Sequence, residues 1–441
     1  MKTQLILGIV LMLAVVNVLP AEEPARDVAP RKNEQQLPFA MHSKMEQLPR
    51  ISVGHNDADL IGRDNRALQA AVDYIAALGG GVVEIGPGEY LMRDSLHLRS
   101  HVTIRGTRGK TVLRKANGAV SALVLDGDFG EQQITLEDPS GFEVGGGVAI
   151  WDDHASGFHT TVARITGRRG NTFSIDRPLM ADCMVHNKAK AATVFPVVSG
   201  YDVRGVRIEN LVIEGSKEAN EYLNGCRGAG IFLYRGHGTV IQNCQIRNYH
   251  GDGVSFQQSN DVTVIECQSD DNTHLGFHPG SGSQRPTVRG CVARNNGTDG
   301  LFLCWRVRHG LFENNLLEGN GRFGISIGHK DSDNLIQNNH VRRNGQDGIV
   351  FRNESFGMAA HRNRLKGNVI EDNGANGEAA GIRIRGETDG LIFEGNIIRD
   401  TREGTSQTQT TGVLIEQRVR SVTLRDNQIT ATKAVDDKRE K

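Results

Sequence analysis

One pattern constrains this chain more than any other: a Gly followed by apolar, any and apolar residues, returning at nearly constant spacing. It runs Gly230-Ile231-Phe232-Leu233, Gly253-Val254-Ser255-Phe256, Gly276-Phe277-His278-Pro279, Gly300-Leu301-Phe302-Leu303, Gly324-Ile325-Ser326-Ile327 and Gly348-Ile349-Val350-Phe351, in steps of 23, 23, 24, 24 and 24 residues. Looser copies start at Gly381 and Gly412, where steps of 33 and 31 leave room for loops. A second mark keeps the same phase: Cys244, Cys267, Cys291, Asn315, Asn339, Asn368, Asn396 and Asn427 each precede a short segment such as Asn339-His340-Val341 or Asn396-Ile397-Ile398.

Each period therefore predicts three short strands: one before the Asn or Cys, one after it, and the Gly-initiated one. So small a unit cannot bury its apolar side alone, but stacked copies share a continuous core, each coil rising by one strand spacing of about 4.8 Å. The predicted fold is all-β, a right-handed single-stranded parallel β-helix (solenoid). Leucine-rich repeats need a Leu spacing that is absent, and helical repeats need a 3.6-residue period that is also absent. The Asn side chains should stack as an internal ladder, with Cys244, Cys267 and Cys291 in the same rung. Adjacent rungs at about 4.8 Å lie beyond ordinary disulfide Cβ separation. The six Cys are accordingly expected as buried thiols, without a disulfide framework.

At the N-terminal end, Asp64 can cap a helix over 65–78 that presents Leu68, Ala71, Val72, Ile75 and Leu78 on one face, with Gly79 to stop it. Such a capping helix closes the apolar end of a solenoid. Between 119 and 200 the coil period is lost, and short strands separated by Gly and Asp turns predict an inserted small β-rich segment. The expected organisation is a signal peptide at 1–21, a flexible linker at 22–50, the capping helix and first coils at 51–118, the insert at 119–200, regular coils at 201–430 and a disordered tail at 431–441. The signal peptide rests on Met1-Lys2, the apolar run Leu5 to Leu19 and the small-residue exit Pro20-Ala21. That run is shorter than the roughly 20 residues a spanning helix needs. The expectation is a secreted, periplasmic or extracellular monomer with no membrane contact after cleavage. Fifty-one Lys and Arg against 52 Asp and Glu give no net field to recruit nucleic acid.

The stretch from Asn56 to Met92, with Ala67-Leu68-Gln69-Ala70-Ala71, the triple Gly at 79–81 and Gly86-Pro87-Gly88-Glu89-Tyr90, resembles the start of the secreted pectate-lyase-like β-helix superfamily. The resemblance implies the fold. That superfamily includes lyases, hydrolases, epimerases, tailspikes and noncatalytic proteins, so several activities stay open. Locally, Leu275-Gly276-Phe277-His278-Pro279-Gly280 resembles the Tyr-Gly-Phe-Asp-Pro-His element of alginate C5-epimerases, keeping Gly276, Phe277 and Pro279 and differing at the three polar positions.

With the residue after each strand Gly turned inward, Ser255, Gln257, His278, Phe302, Cys304, Ser326, Val350, Arg352, Arg383 and Arg385 should face outward. Near the middle of that face, His274, His278, Trp305, Arg306, His329, Lys330, Arg352 and Glu354 fall on consecutive coils. These residue types suit β-elimination or C5 epimerisation of a uronate polymer, in which a cation neutralises the carboxylate while a base takes the C5 proton. His278, His274, His329 and Lys330 are the acid or base candidates, Arg306 and Arg352 the carboxylate clamps, and Trp305, Glu354 and Gln257 further substrate contacts. The alternative is a glycoside hydrolase using Asp252, Asp299 and Asp347, which recur every second coil immediately before the strand Gly. The third is a noncatalytic glycan-binding or surface protein. No metal site and no required cofactor are assigned, and nothing in the sequence supports Ca2+.

Overall fold

The computed structural model describes residues 46–440. The expected signal peptide and most of the expected linker lie outside the described residues; strand structure begins at Arg50–Gly54. Three parallel sheets, here A, B and C, of 13, 11 and 11 strands, stack coil on coil. One coil reads Ala229–Tyr234 in sheet C, Val240–Gln242 in sheet A and Gln245–Arg247 in sheet B, before Asp252–Gln257 resumes sheet C. Each short strand of sheets A and B turns one residue inward, so Ile241, Val264, Val288, Phe312, Ile336 and Leu365 form a buried file. The period in the sequence is thus the perimeter of one coil.

The rung residues stack as expected. Nδ2 of Asn315, Asn339 and Asn368 each donates to Oδ1 of the next rung at 2.9 Å. Cys244, Cys267 and Cys291 are buried, with thiols directed at backbone carbonyls, and all six Cys are free and buried. A second ladder, Asn272, Asn296, Asn320, Asn344 and Asn373, runs along the turn between sheets B and C.

Helix α1 (Asn65–Ala77) buries Leu68, Ala71, Val72 and Ile75 against the first coils, with Asp64 accepting from Arg66 N at 3.0 Å. Leu78 falls off the expected face: it is the C-cap and 52% exposed. The inserted segment is a six-stranded antiparallel sheet spanning Val120–Ala122 to Lys190–Ala192. It grows out of one turn, between Thr111–Lys115 of sheet B and Val198–Tyr201 of sheet C. The expected disordered tail instead carries a strand, Lys433–Asp437, which extends sheet C in register with Thr411–Ile415 because Val435 continues the inward position of Val413.

Candidate functional site

Charge separates the faces. Across sheet B, outward positions in register read Arg114, Glu214, Arg247, Asp270, Arg294, Glu318, Arg342, Glu371 and Arg399. Opposite charges sit one strand apart, and Arg247–Glu214, Arg342–Glu318 and Arg399–Glu371 pair at 2.8, 2.9 and 2.9 Å. Such a face neutralises itself. Sheet C has no such ladder: its outward file runs Ser199, Phe232, Ser255 and His278, then Phe302, Ser326, Val350 and Arg383.

The position before the strand Gly alternates between Asp and other residues: Asp252, Leu275, Asp299, Phe323, Asp347 and Ala380. Each Asp accepts the N–H of the next coil through Oδ1, from Leu275 at 3.1 Å, Phe323 at 3.3 Å and Ala380 at 2.8 Å. That shared structural task explains the repeat. Their remaining contacts differ. Asp347 pairs with Arg383 at 2.8 Å. Asp299 meets Arg322 only at 3.8 Å, leaves Oδ2 without a partner, and is pushed to a higher pKa by burial.

Asp252, fully buried, lies between two imidazoles: Nδ1 of His274 donates to Oδ1 at 2.8 Å and Nδ1 of His278 to Oδ2 at 2.7 Å. Burial alone would raise its pKa, but the two rings outweigh it and hold the carboxyl at about 2. In His278, burial works against the charge; the bond to Asp252 and the nearby Cys304 thiol overcome it and lift the ring to about 9. His274 moves the same way: burial lowers it, and Asp252 wins.

The two histidines are not equivalent. The His278 side chain is 5% exposed and its Nε2 is buried without a hydrogen bond; the His274 side chain is 35% exposed. With Nδ1 committed to Asp252, Nε2 of His274 is the nitrogen available to a ligand. The edge of the Tyr222 ring packs against it, centroids 5.9 Å apart, and also against His250 at 5.8 Å. His274 lies on the turn between sheets B and C, where a backbone ladder joins Gly251, His274, Thr298 and Arg322 on consecutive coils, each link 2.9 Å. Arg322 is exposed and two coils, about 9.6 Å, beyond His274.

Segment 215–228, the same turn one coil before His250, covers the imidazole pair. A Cβ on Gly225 would collide with Asp252 Oδ2 and crowd His278 Nδ1 at 2.8 Å, so only Gly fits there. Ser255 Oγ donates to Gly225 O at 2.5 Å, and Gln257 Nε2 to Ser255 Oγ at 2.8 Å. Ser255, Gln257 and His278 thus face outward from the coil yet are buried, against the expectation of an open flat surface.

The remaining expected residues form an adjoining cluster, joined through Phe302, whose ring lies 5.4 Å from His278 and 4.4 Å from the Arg352 guanidinium. Arg352 is not free to clamp a carboxylate: it donates to Ser326 Oγ at 2.9 Å, Leu303 O at 2.7 Å and Asp331 Oδ2 at 3.2 Å. Trp305 stacks on His329 at 5.1 Å, and His329 Nε2 pairs with Glu354 at 3.0 Å. Burial and Arg352 lower the His329 pKa. Arg306 is exposed near the indole, and Lys330 is half-buried without an ion pair among the described residues. No group of three or more His, Cys, Asp and Glu among the described residues could hold a metal ion.

Sequence reading missed Tyr222, Arg322 and Gly225, and it placed Asp252 in a rival site. One signal was available. Asp252 precedes His274 and His278 by 22 and 26 residues, one coil in either case.

A family model described as a right handed beta helix region matches residues 182–306, 230–398 and 303–436, together more than half of the chain. No curated protein matches it significantly in sequence. Among solved structures, the A-module of a mannuronan C-5 epimerase from Azotobacter vinelandii is 16% identical with a TM-score of 0.54, covering 84% of this chain and 92% of that one. A second mannuronan C-5 epimerase A-module from that organism is 15% identical with a TM-score of 0.50, covering 84% and 93%. A polygalacturonase from Erwinia carotovora ssp. carotovora is 12% identical with a TM-score of 0.53, covering 89% and 96%. At these identities the likeness is one of fold.

Proposed function

The chain belongs to the right handed beta helix family, and from that premise we propose that it acts on an acidic, uronate-containing polysaccharide by removing the C5 proton, with β-elimination or C5 epimerisation as the outcome. The observation that carries this reading is His274, a half-exposed imidazole backed by the buried Asp252 carboxylate on the edge that also bears Tyr222 and Arg322. Asp252 fixes the Nδ1–H tautomer, leaving the Nε2 lone pair as base, and stabilises the imidazolium once the proton arrives. Arg322 is placed to neutralise the uronate carboxylate as negative charge spreads into it. Burial keeps the Tyr222 hydroxyl protonated by raising its pKa, which suits it to return a proton. That the structural neighbours include a mannuronan C-5 epimerase module and a polygalacturonase supports a uronate substrate.

Glycoside hydrolysis is the second reading, favoured by one observation: Asp252 is held at about 2 while burial raises Asp299, two coils away, the divergence that an acid and a base require. Against it, both Asp252 oxygens are occupied by imidazoles. Incubating the purified protein with alginates, pectins and sulfated or acetylated uronans separates the outcomes. Absorbance from unsaturated uronates selects the lyase, altered configuration without cleavage the epimerase, and reducing ends without that absorbance the hydrolase. Silence across the panel selects the noncatalytic glycan-binding alternative. Secretion belongs to the same proposal, since a polymeric glycan is met outside the cytoplasm.

A further inference from the structure

A cavity of about 750 Å³ opens at the start of the edge that carries His274. It lies between the first turn of α1, the sheet B to sheet C turn at 93–95, and the loop 141–146 of the inserted sheet. Arg93 O accepts from Gly147 N at 2.9 Å, which pins that turn against the insert. Of the cations lining the cavity, Arg66 is matched by Asp64 at 2.6 Å and Arg114 by Glu89 at 2.7 Å. Lys115, 1% exposed, donates to Ala116 O at 3.2 Å, Thr193 O at 2.8 Å and Asn220 Oδ1 at 2.8 Å, and burial lowers its pKa to about 7, so it closes the wall as a hydrogen-bonded amine rather than as a standing positive charge. Arg93 is exposed, and its guanidinium has no partner among the described residues. Arg93 is therefore the cation left unmatched among the described residues of the lining, in a concavity of ligand size that also holds Glu143, with Leu91 and Phe195 in its walls.

We propose that this cavity is an anchoring subsite for an oxyanion-bearing sugar of an acidic glycan, recognised by Arg93 through a carboxylate or sulfate. This rests on the reading of the His274 edge as the polymer track. The Arg93 turn belongs to the same edge, four coils before His274, or about 19 Å along the stack. An extended chain would then be held remote from the bond being altered, and Arg93 would govern affinity while His274 governs turnover. Guanidinium suits the task because its planar fork meets two oxygens of a carboxylate or sulfate at once.

The test measures calorimetric binding of twelve-residue polymannuronate and polygalacturonate, dextran sulfate and neutral dextran to the full chain and to Arg93→Ala, Arg93→Lys and His274→Ala. The expected result is that acidic chains bind the wild type, bind Arg93→Ala at least 10-fold more weakly, and bind Arg93→Lys in between, with His274→Ala losing less affinity than Arg93→Ala, while dextran does not bind. Uronates bound without dextran sulfate would assign a carboxylate-specific site; both bound would assign a general oxyanion site. Loss of affinity in Arg93→Ala from a wild type that never turns a uronan over would uphold the subsite while refuting the catalytic reading. Arg93→Ala binding acidic chains as tightly as wild type, dextran binding equally well, or no acidic chain binding the wild type would each overturn the subsite.

Discussion

Nδ1 of His278 donates to Oδ2 of Asp252 at 2.7 Å, in a position where neither side chain is open to solvent. This ion pair makes the stability of the fold depend on pH. His278 is raised from 6.5 to about 9, so its contribution is complete below 6.5 and fades as pH climbs through 9. Asp252 is lowered from 3.8 to about 2, so its contribution holds above 3.8 and fades as pH falls through 2. The two shifts view one interaction from either side and are not added. The protein should be most stable between about 4 and 6.5 and should lose on the order of 3 kcal/mol toward alkaline pH. Melting temperatures of wild type and His278→Phe across pH 4 to 10 check this: the variant should lack the alkaline decline, and parallel curves would remove the pair from the account.

His274 and His278 should separate cleanly on substitution. His274→Ala is expected to lower turnover by about 100-fold or more, the scale of a lost general base, while its half-exposed position keeps melting close to wild type. His278→Ala should act first on stability, because it leaves the buried Asp252 Oδ2 without a partner, whereas Oδ1 keeps the Leu275 N–H when His274 is removed. Arg322→Ala should lower turnover as well as affinity in steady-state kinetics, because the charge it is placed to neutralise grows in the transition state.

The cover over the pair is equally specific. Gly225→Ala places a methyl where Asp252 Oδ2 and His278 Nδ1 already lie, so the segment 215–228 must shift and carry Tyr222 with it. Reduced melting temperature together with reduced turnover is expected. A Gly225→Ala protein indistinguishable from wild type would contradict the packing described.

Asn339 illustrates what holds the stack together. Its Oδ1 accepts from Asn315 N and Nδ2 at 3.0 and 2.9 Å, and its Nδ2 donates to Asn368 Oδ1 at 2.9 Å and Phe312 O at 2.9 Å. Asn339→Ala orphans buried groups on both neighbouring coils at about 1–3 kcal/mol each. Denaturant unfolding should show a loss of roughly 3 kcal/mol or more; a loss below about 1 kcal/mol would mean the ladder only decorates the turn.

The fold was legible because its core is a sum of identical coils. Gly230, Gly253 and Gly276 mark the perimeter, and Asn315 and Asn339 mark a turn that recurs wherever the chain passes it. The site was legible only in part because it breaks the repeat. Tyr222 and Gly225 sit in a lengthened turn outside the regular period, so no repeat flags them, and Lys190–Glu221 at 3.4 Å links that turn to the insert. Arg352 misled because an outward position on a strand was read as an accessible one, whereas Ser326, Leu303 and Asp331 enclose it. The alternating Asp252, Asp299 and Asp347 misled differently: each repeats for a backbone N–H, and Asp252 alone also holds two imidazoles.

Removal of the C5 proton of a uronate at the edge bearing His274 is tested by proton exchange whichever product forms. Polymannuronate and polygalacturonate should be incubated in D₂O with wild type and with His274→Ala, then followed by NMR at C5 and by absorbance of unsaturated uronates. Deuterium at C5 or unsaturated ends are expected with wild type, and neither above about one-hundredth of that rate with the variant. New reducing ends with C5 still protiated and no unsaturation would contradict it and transfer the assignment to Asp252 and Asp299.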